Sequence, residues 1–124
     1  MFEFGRLIRS RMSAHPSPSL PQLEALHFIA PEHRTMRALA AHLKVKAPSA
    51  TALVAELARA GLITRSTGAD RREVMLALTA KGTKVLRTSV ARRAKVIHDI
   101  LLPLPARDRK AFDRILRTII CSNR

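Results

Sequence analysis

Tryptophan and tyrosine are absent from this 124-residue sequence, and four phenylalanines make up its whole aromatic content. A core built from it must therefore be aliphatic, which suits packed helices. Cysteine occurs once, as Cys121, which rules out an internal disulfide and a Cys-rich zinc site. The five histidines show no i, i+4 pair and no metal-ligand spacing. No apolar run approaches the ~18 residues of a membrane span. The N-terminal stretch MFEFGRLIRSRM interrupts its apolar residues with charge, so it lacks the hydrophobic region of a signal peptide. These absences lead to the expectation of a cytoplasmic protein without a metal or cofactor. No nucleophile–base pair, phosphate-binding glycine loop or paired carboxylates stand out, so the chain is not expected to be an enzyme.

Acidic residues are also scarce. Lysine and arginine number 23 against 9 aspartates and glutamates, a formal net charge of +14. A compact domain this basic repels itself unless an anion is near, and nucleic acid is the default partner. An anionic membrane surface is the runner-up. The excess lies mainly in the second half: residues 63–124 hold 15 basic and 5 acidic groups. With 47% hydrophobic residues there is enough apolar material for one ordinary domain.

The hydrophobic pattern predicts mostly helices. A short amphipathic helix fits residues 2–13. Three of the seven prolines fall in 14–21 and read as a break. A second helix starts near Pro21, carries Leu23, Leu26 and Ala30, and ends at Pro31. Thr35 is a good N-cap for a third, with Met36, Leu39, Ala40 and Leu43 at i, i+3, i+4 and i+7. After a break at Lys44–Lys46, a fourth helix fits residues 47–60. Ala50, Leu53, Val54 and Leu57 form its stripe, and Gly61 stands at the C′ position. The period then changes. Leu62–Arg65 is short and extended, 66–72 is polar with Gly68 and Asp70, and 73–78 alternates with Val74, Leu76 and Leu78 on one face. This is a β-hairpin with an arginine-bearing tip. Thr79 caps a long helix over 80–102, with Leu86, Val90, Ala94, Ile97 and Leu101 in a stripe and Gly82 in the first turn, where its poor helix propensity costs least. Pro103 and Pro105 break the chain, and a last helix over 106–120 is expected to bury Phe112, Ile115, Leu116 and Ile119.

Two short helices with a tight turn, followed by a hairpin, describe a winged helix-turn-helix. The major groove, ~12 Å wide, admits one α-helix, and the helix after the turn offers its N-terminal residues to base edges. Helix 35–44 is then the support and helix 47–60 the reader. Pro48, Ser49, Thr51, Ala52 and Ala55 lie off its apolar stripe. The hairpin tip would reach the neighbouring minor groove, whose narrow segments attract arginine, here Arg71 and Arg72. Asp70 could hold a guanidinium in one rotamer. Arg65 either contacts phosphate or pairs with Asp70, the second being favoured. The run Lys81, Lys84, Arg87, Arg92, Arg93 and Lys95 reads first as a solvated helix face, and Cys121 as inert.

The run LAAHLKVKAPSATALVAELARAGLITRSTGADRREVMLALTAKG, residues 39–82, resembles the MarR family of winged-helix regulators. The likeness is carried by Leu39-Ala40 and Leu43, by Pro48, Thr51, Leu53, Val54 and Leu57, by Gly61-Leu62 and Arg65, by Asp70-Arg71-Arg72, and by Leu78-Thr79 with Gly82. Residues 1–38 and 83–124 resemble it in helix pattern only. The resemblance implies a mainly α fold with a small β-hairpin wing. It implies one domain over 1–124: a winged helix over about 20–82, flanked by dimerisation helices over about 1–14 and 83–124. It further implies a homodimer on a near-palindromic site in double-stranded DNA, with Arg72 in the minor groove oriented by Asp70. A small-molecule effector is a further partner it implies. The expected DNA-binding residues are Lys46, Ala47, Pro48, Ser49, Thr51, Ala52, Arg65, Asp70, Arg71 and Arg72, in helix 47–60 and wing 64–76. The expected function is a sequence-specific transcription regulator, more a repressor than an activator. The alternatives are a non-specific or architectural nucleic-acid binder and a winged-helix protein-interaction module. The chain departs from the family at Lys46, where Ser or Thr is usual, at Ala52, often polar or basic, and in its short N-terminal helix.

Overall fold

The computed structural model describes residues 2–12 and 18–123. Residues 13–17, with His15 and the first half of the expected proline-rich break, lie outside them. The elements in order are α1 (Phe2–Met12), α2 (Leu20–Ile29), β1 (Arg34–Thr35), α3 (Met36–Leu43), α4 (Ala47–Arg59), β2 (Ile63–Thr67), β3 (Val74–Leu78), α5 (Ala80–Leu101) and α6 (Ala106–Ser122). The fold is mainly helical, with a three-stranded antiparallel sheet in the order β1-β3-β2.

Side-chain caps start three of the helices. Ser19 and Gln22 form a capping box at α2, each side chain accepting the other's backbone N–H. Thr35 Oγ1 accepts from Ala38 N at 3.0 Å to start α3. Thr79 Oγ1 accepts from Gly82 N at 2.9 Å to start α5. Two residues in the left-handed region end helices: Lys44 (φ 55°) after α3 and Gly61 (φ 75°) after α4. Gly61 fills the expected C′ position without penalty. Lys44 has a Cβ, so its conformation costs about 1–2 kcal/mol. Val45 N donating to Ala40 O at 3.1 Å helps hold that turn between α3 and α4.

The core is aliphatic, as the shortage of aromatics requires. Leu26, Ile29, Leu39, Val54, Leu57 and Leu76 are its largest fully buried side chains, drawn from α2, α3, α4 and β3. Leu62, Ile63 and Leu86 extend it to the base of the wing and to α5. At its edge Phe28 stacks on His42 with ring centroids 4.1 Å apart, and the Arg34 guanidinium lies 4.5 Å from the Phe28 centroid. The aromatic thus joins α2 to α3.

Several expectations need correction. β1 was not expected. Its two residues pair with β3 (Arg34 with Leu76, Thr35 with Met75), and so short a strand leaves no period-2 signal. The wing strand β2 runs to Thr67 rather than Arg65, because Ser66 and Thr67 pair with Met75 and Val74. The turn therefore narrows to 68–73. Val74 is exposed although Leu76 on the same face is buried, since that end of β3 projects past the core. The largest difference is α6. Ile115 and Ile119 are each 51% exposed, Leu116 is also exposed, and Phe112 is only half-buried. On α5 the stripe is buried at Leu86 but exposed at Val90 and Ala94. The helical periodicity is present, yet among the described residues α6 meets the rest of the chain sparsely and no other layer of the same chain covers its apolar face.

Gly82 is buried, and its role is larger than expected. A Cβ at this position would fall onto the Leu62 carbonyl oxygen and lie 2.9 Å from the Leu62 carbonyl carbon. The first turn of α5 thus rests directly on the backbone between α4 and β2. Thr79 Oγ1 donates to Gly61 O at 2.6 Å, and Thr79 N donates to Leu62 O at 3.1 Å, closing the same junction.

Candidate nucleic-acid interface

Two elements project from the core on one side, the start of α4 and the hairpin β2–β3. Ala50, Val54 and Leu57 bury one face of α4, which fixes what the opposite face can present. Ala47, Pro48, Ser49, Thr51 and Ala52 are exposed, and Ala55 is half-exposed. At 13 residues the helix is about 20 Å long, enough to lie in a major groove. Its N-cap Lys46 makes no side-chain cap hydrogen bond, as its departure from Ser or Thr implied. The Lys46 carbonyl still accepts from Ser49 N and Ala50 N, so the helix starts on backbone bonds alone. Thr51 Oγ1 donates back to Ala47 O at 2.9 Å.

The wing tip is built by Asp70, and by a different bond from the one expected. Its Oδ1 accepts from the backbone N–H of Arg72 at 3.1 Å, the bond of an Asx turn. Glu73 N donates to Asp70 O, and Gly68 N donates to Glu73 O, both at 2.9 Å. Among the described residues Asp70 makes no ion pair with Arg65, Arg71 or Arg72. The structural pairing favoured for Arg65 is therefore not formed. Arg65 sits in mid-strand opposite Leu76, and the longer β2 carries the tip away from it. Asp70 fixes the backbone at Arg72 and leaves the guanidinium outward.

Arg65, Arg71 and Arg72 are exposed. So are Arg37, Lys44 and Lys46, in α3 and the turn that follows it. Among the described residues the ion pairs lie elsewhere: Glu32–Arg34 at 2.8 Å, Asp108–Arg107 at 3.9 Å and Asp113–Arg117 at 2.8 Å, with a Glu24–His42 contact at 3.7 Å. In the last pair the Asp113 hydrogen bond raises the Arg117 pKa further. Among the described residues none of these six cations is in an ion pair, and they outnumber Asp70 and Glu73 on the side bearing α4 and the wing, a surface suited to an array of phosphates.

Two residues here were missed in the sequence. Arg37 lines a cleft of about 610 Å³ together with Thr35, Met36, Ala47, Asp70 and Arg72, between α3, the start of α4 and the wing. Its signal was its place on the polar side of the α3 stripe. Lys81 was grouped with the basic run of α5, but its Nζ donates to Ala60 O at 2.9 Å. A cation at the C-terminus of α4 also suits the helix dipole.

Residues 17–73 match the MarR family model. No curated protein matches the chain significantly. Solved structures match nearly all of it at low identity. The PcaV transcriptional regulator of Streptomyces coelicolor is 22% identical, with a TM-score of 0.74 over 98% of this chain and 95% of that one, and it has also been solved with its natural ligand. YusO of Bacillus subtilis is 20% identical, with a TM-score of 0.82 over 95% of this chain and 87% of that one. MepR, a transcription regulator of the Staphylococcus aureus multidrug efflux pump MepA, is 16% identical, with a TM-score of 0.78 over 99% and 94%. Residues 17–73 are therefore similar to the MarR family, and the chain as a whole has the fold of these solved transcriptional regulators.

Proposed function

We propose that the protein is a homodimeric, sequence-specific regulator that binds double-stranded DNA and acts as a repressor. In each protomer α4 enters a major groove and the wing, residues 64–76, reaches the adjacent minor groove. The observation that carries this reading is the pairing of an exposed α4 N-terminus with an arginine wing whose tip is fixed by Asp70. Lys46, Ala47, Pro48, Ser49, Thr51 and Ala52 form the major-groove contact. Arg72 enters the minor groove, with Arg71 beside it and Arg65 at phosphate.

The exposed apolar residues supply the dimer. Phe2, Phe4 and Leu7 of α1 and Ile115, Leu116, Ile119 and Ile120 of α6 are all exposed in the single chain. Exposed apolar faces of this kind mark interaction surfaces, and a second copy covering them would make α1, α5 and α6 the dimerisation layer around the winged helix. Dimerisation places two recognition helices about 34 Å apart, one helical turn of DNA. The ligand-bound PcaV structure motivates a small-molecule effector here also. The cleft between α3, α4 and the wing is a suitable place for one, since filling it would shift Arg72 against α4.

Arg72→Ala is expected to cost about 1–3 kcal/mol of specific binding. Titrating a labelled duplex with wild type and variant over a salt series measures it. Wild-type affinity should fall steeply with salt, with a log–log slope of about −0.9 per neutralised phosphate. An affinity unchanged by the substitution would remove Arg72 from the mechanism. The small side chains exposed on α4 favour a second reading, a non-specific or architectural binder, which predicts near-equal affinity for all duplexes.

A further inference from the structure

The major-groove edges of the bases carry hydrogen-bond acceptors, donors and one apolar group, the thymine C5 methyl. Guanine is read best by paired donors from arginine or lysine, and adenine by asparagine or glutamine. The exposed face in the first turns of α4 has none of these. It consists of Ala47, Pro48, Ser49, Thr51 and Ala52, with Ala55 half-exposed behind them. The charged residues of the helix, Glu56 and Arg59, come later, and Glu56 is engaged by Gln22 Nε2 at 3.2 Å.

The hydroxyl of Thr51 is engaged as well. Its proton goes to Ala47 O at 2.9 Å, so it has none to give to guanine O6 or N7, adenine N7 or thymine O4. What Thr51 can offer a base is its methyl group and the oxygen lone pairs. Ala52, next to it and exposed, offers only a methyl. Against a purine these methyls would strip water from N7 or O6 and return no donor, an unfavourable exchange. Against thymine they meet an apolar group and release water from both sides.

Resting on the DNA-binding reading above, we infer that α4 selects its half-site through thymine methyl groups, with thymines opposite Thr51 and Ala52, rather than by donating hydrogen bonds to guanine or adenine. Ser49 is the one uncommitted side-chain donor on the exposed face of α4 itself, with Lys46 preceding it at the N-cap. Affinity comes from the surrounding cations, while discrimination on α4 comes from methyl contact and from the exclusion of guanine.

The test uses the duplex recovered by selection from a random pool, with each thymine of a half-site replaced in turn by deoxyuridine. Base pairing is kept and only the methyl is lost. At the one or two thymines under α4, wild-type binding is expected to weaken about fourfold each, the equivalent of about 0.8 kcal/mol for one methyl-sized group. Thr51→Ser keeps a hydroxyl able to make the same back-bond but lacks the methyl. It should bind the thymine and deoxyuridine duplexes equally at the position it faces, while retaining the preference at the Ala52 position. Equal binding of wild type to all the substituted duplexes, or conserved guanines under α4 in the recovered motif, would overturn the inference and leave sequence-specific binding intact. Recovery of no motif at all would instead overturn the DNA-reading proposal and the inference with it.

Discussion

The double substitution Ile115→Asp, Ile119→Asp is expected to leave the protein monomeric and to weaken binding to a two-half-site duplex about 100-fold or more. Both residues are 51% exposed on α6 in the single chain, alongside exposed Leu116 and Ile120. Burying such a face yields roughly 25 cal/mol per Å² of apolar area, and this is the contribution available to hold two protomers together. Aspartate there would have to be desolvated without a partner, which reverses the sign of the contact. Each monomer then holds one recognition helix and one wing, and loses the effective concentration that a tethered second half supplies. Light scattering measures the mass, and titration against one-site and two-site duplexes measures the coupling. Helical content by circular dichroism should persist, because the core from Leu23 to Leu86 contains no α6 residue. A double variant that is still dimeric would place the dimer interface elsewhere.

Gly82→Ala is expected to destabilise the fold by about 1–3 kcal/mol, the usual cost of forcing an extra methyl into a packed site. Helix propensity alone predicts the opposite sign, since alanine is better than glycine in a helix by about 1 kcal/mol. The close approach of Gly82 to the Leu62 carbonyl decides it, because the obstructing atoms are backbone and have no rotamer to change. Gly5 is the internal control. It lies in α1 with nothing within 4 Å of an added Cβ, so Gly5→Ala should raise stability or leave it unchanged. Thermal unfolding of the two variants against wild type reads the difference directly. Gly82→Ala should also weaken DNA binding, since the displaced junction sets where α4 ends and β2 begins. A Gly82→Ala protein as stable as wild type would show that the α5–Leu62 contact can relax.

The features legible in the sequence share a local cause. Thr35, Thr79 and Gly61 signal helix ends through bonds made within a few residues, and the stripe Ala50, Val54 and Leu57 follows from helix period alone. The exposed α4 face was legible for the same reason. Features set by distant partners were not. The two residues of β1 are a strand only because β3 lies beside them. The amphipathic face of α6 was visible, but the sequence does not say whether the same chain covers it. Asp70 was read as a partner for a guanidinium and instead holds the Arg72 backbone, a choice decided by turn geometry. Lys81 looked like one charge in a run until the fold brought it to the Ala60 carbonyl. The role of Gly82 likewise depends on Leu62, twenty residues earlier in the chain.

Selection of bound duplexes from a random DNA pool at near-physiological salt tests the central claim most directly. A homodimer with one α4 and one arginine wing per protomer predicts a single inverted-repeat motif, with half-site centres about 10 base pairs apart. Recovery of DNA with no enriched motif would contradict a sequence-specific regulator and favour an architectural binder on the same fold.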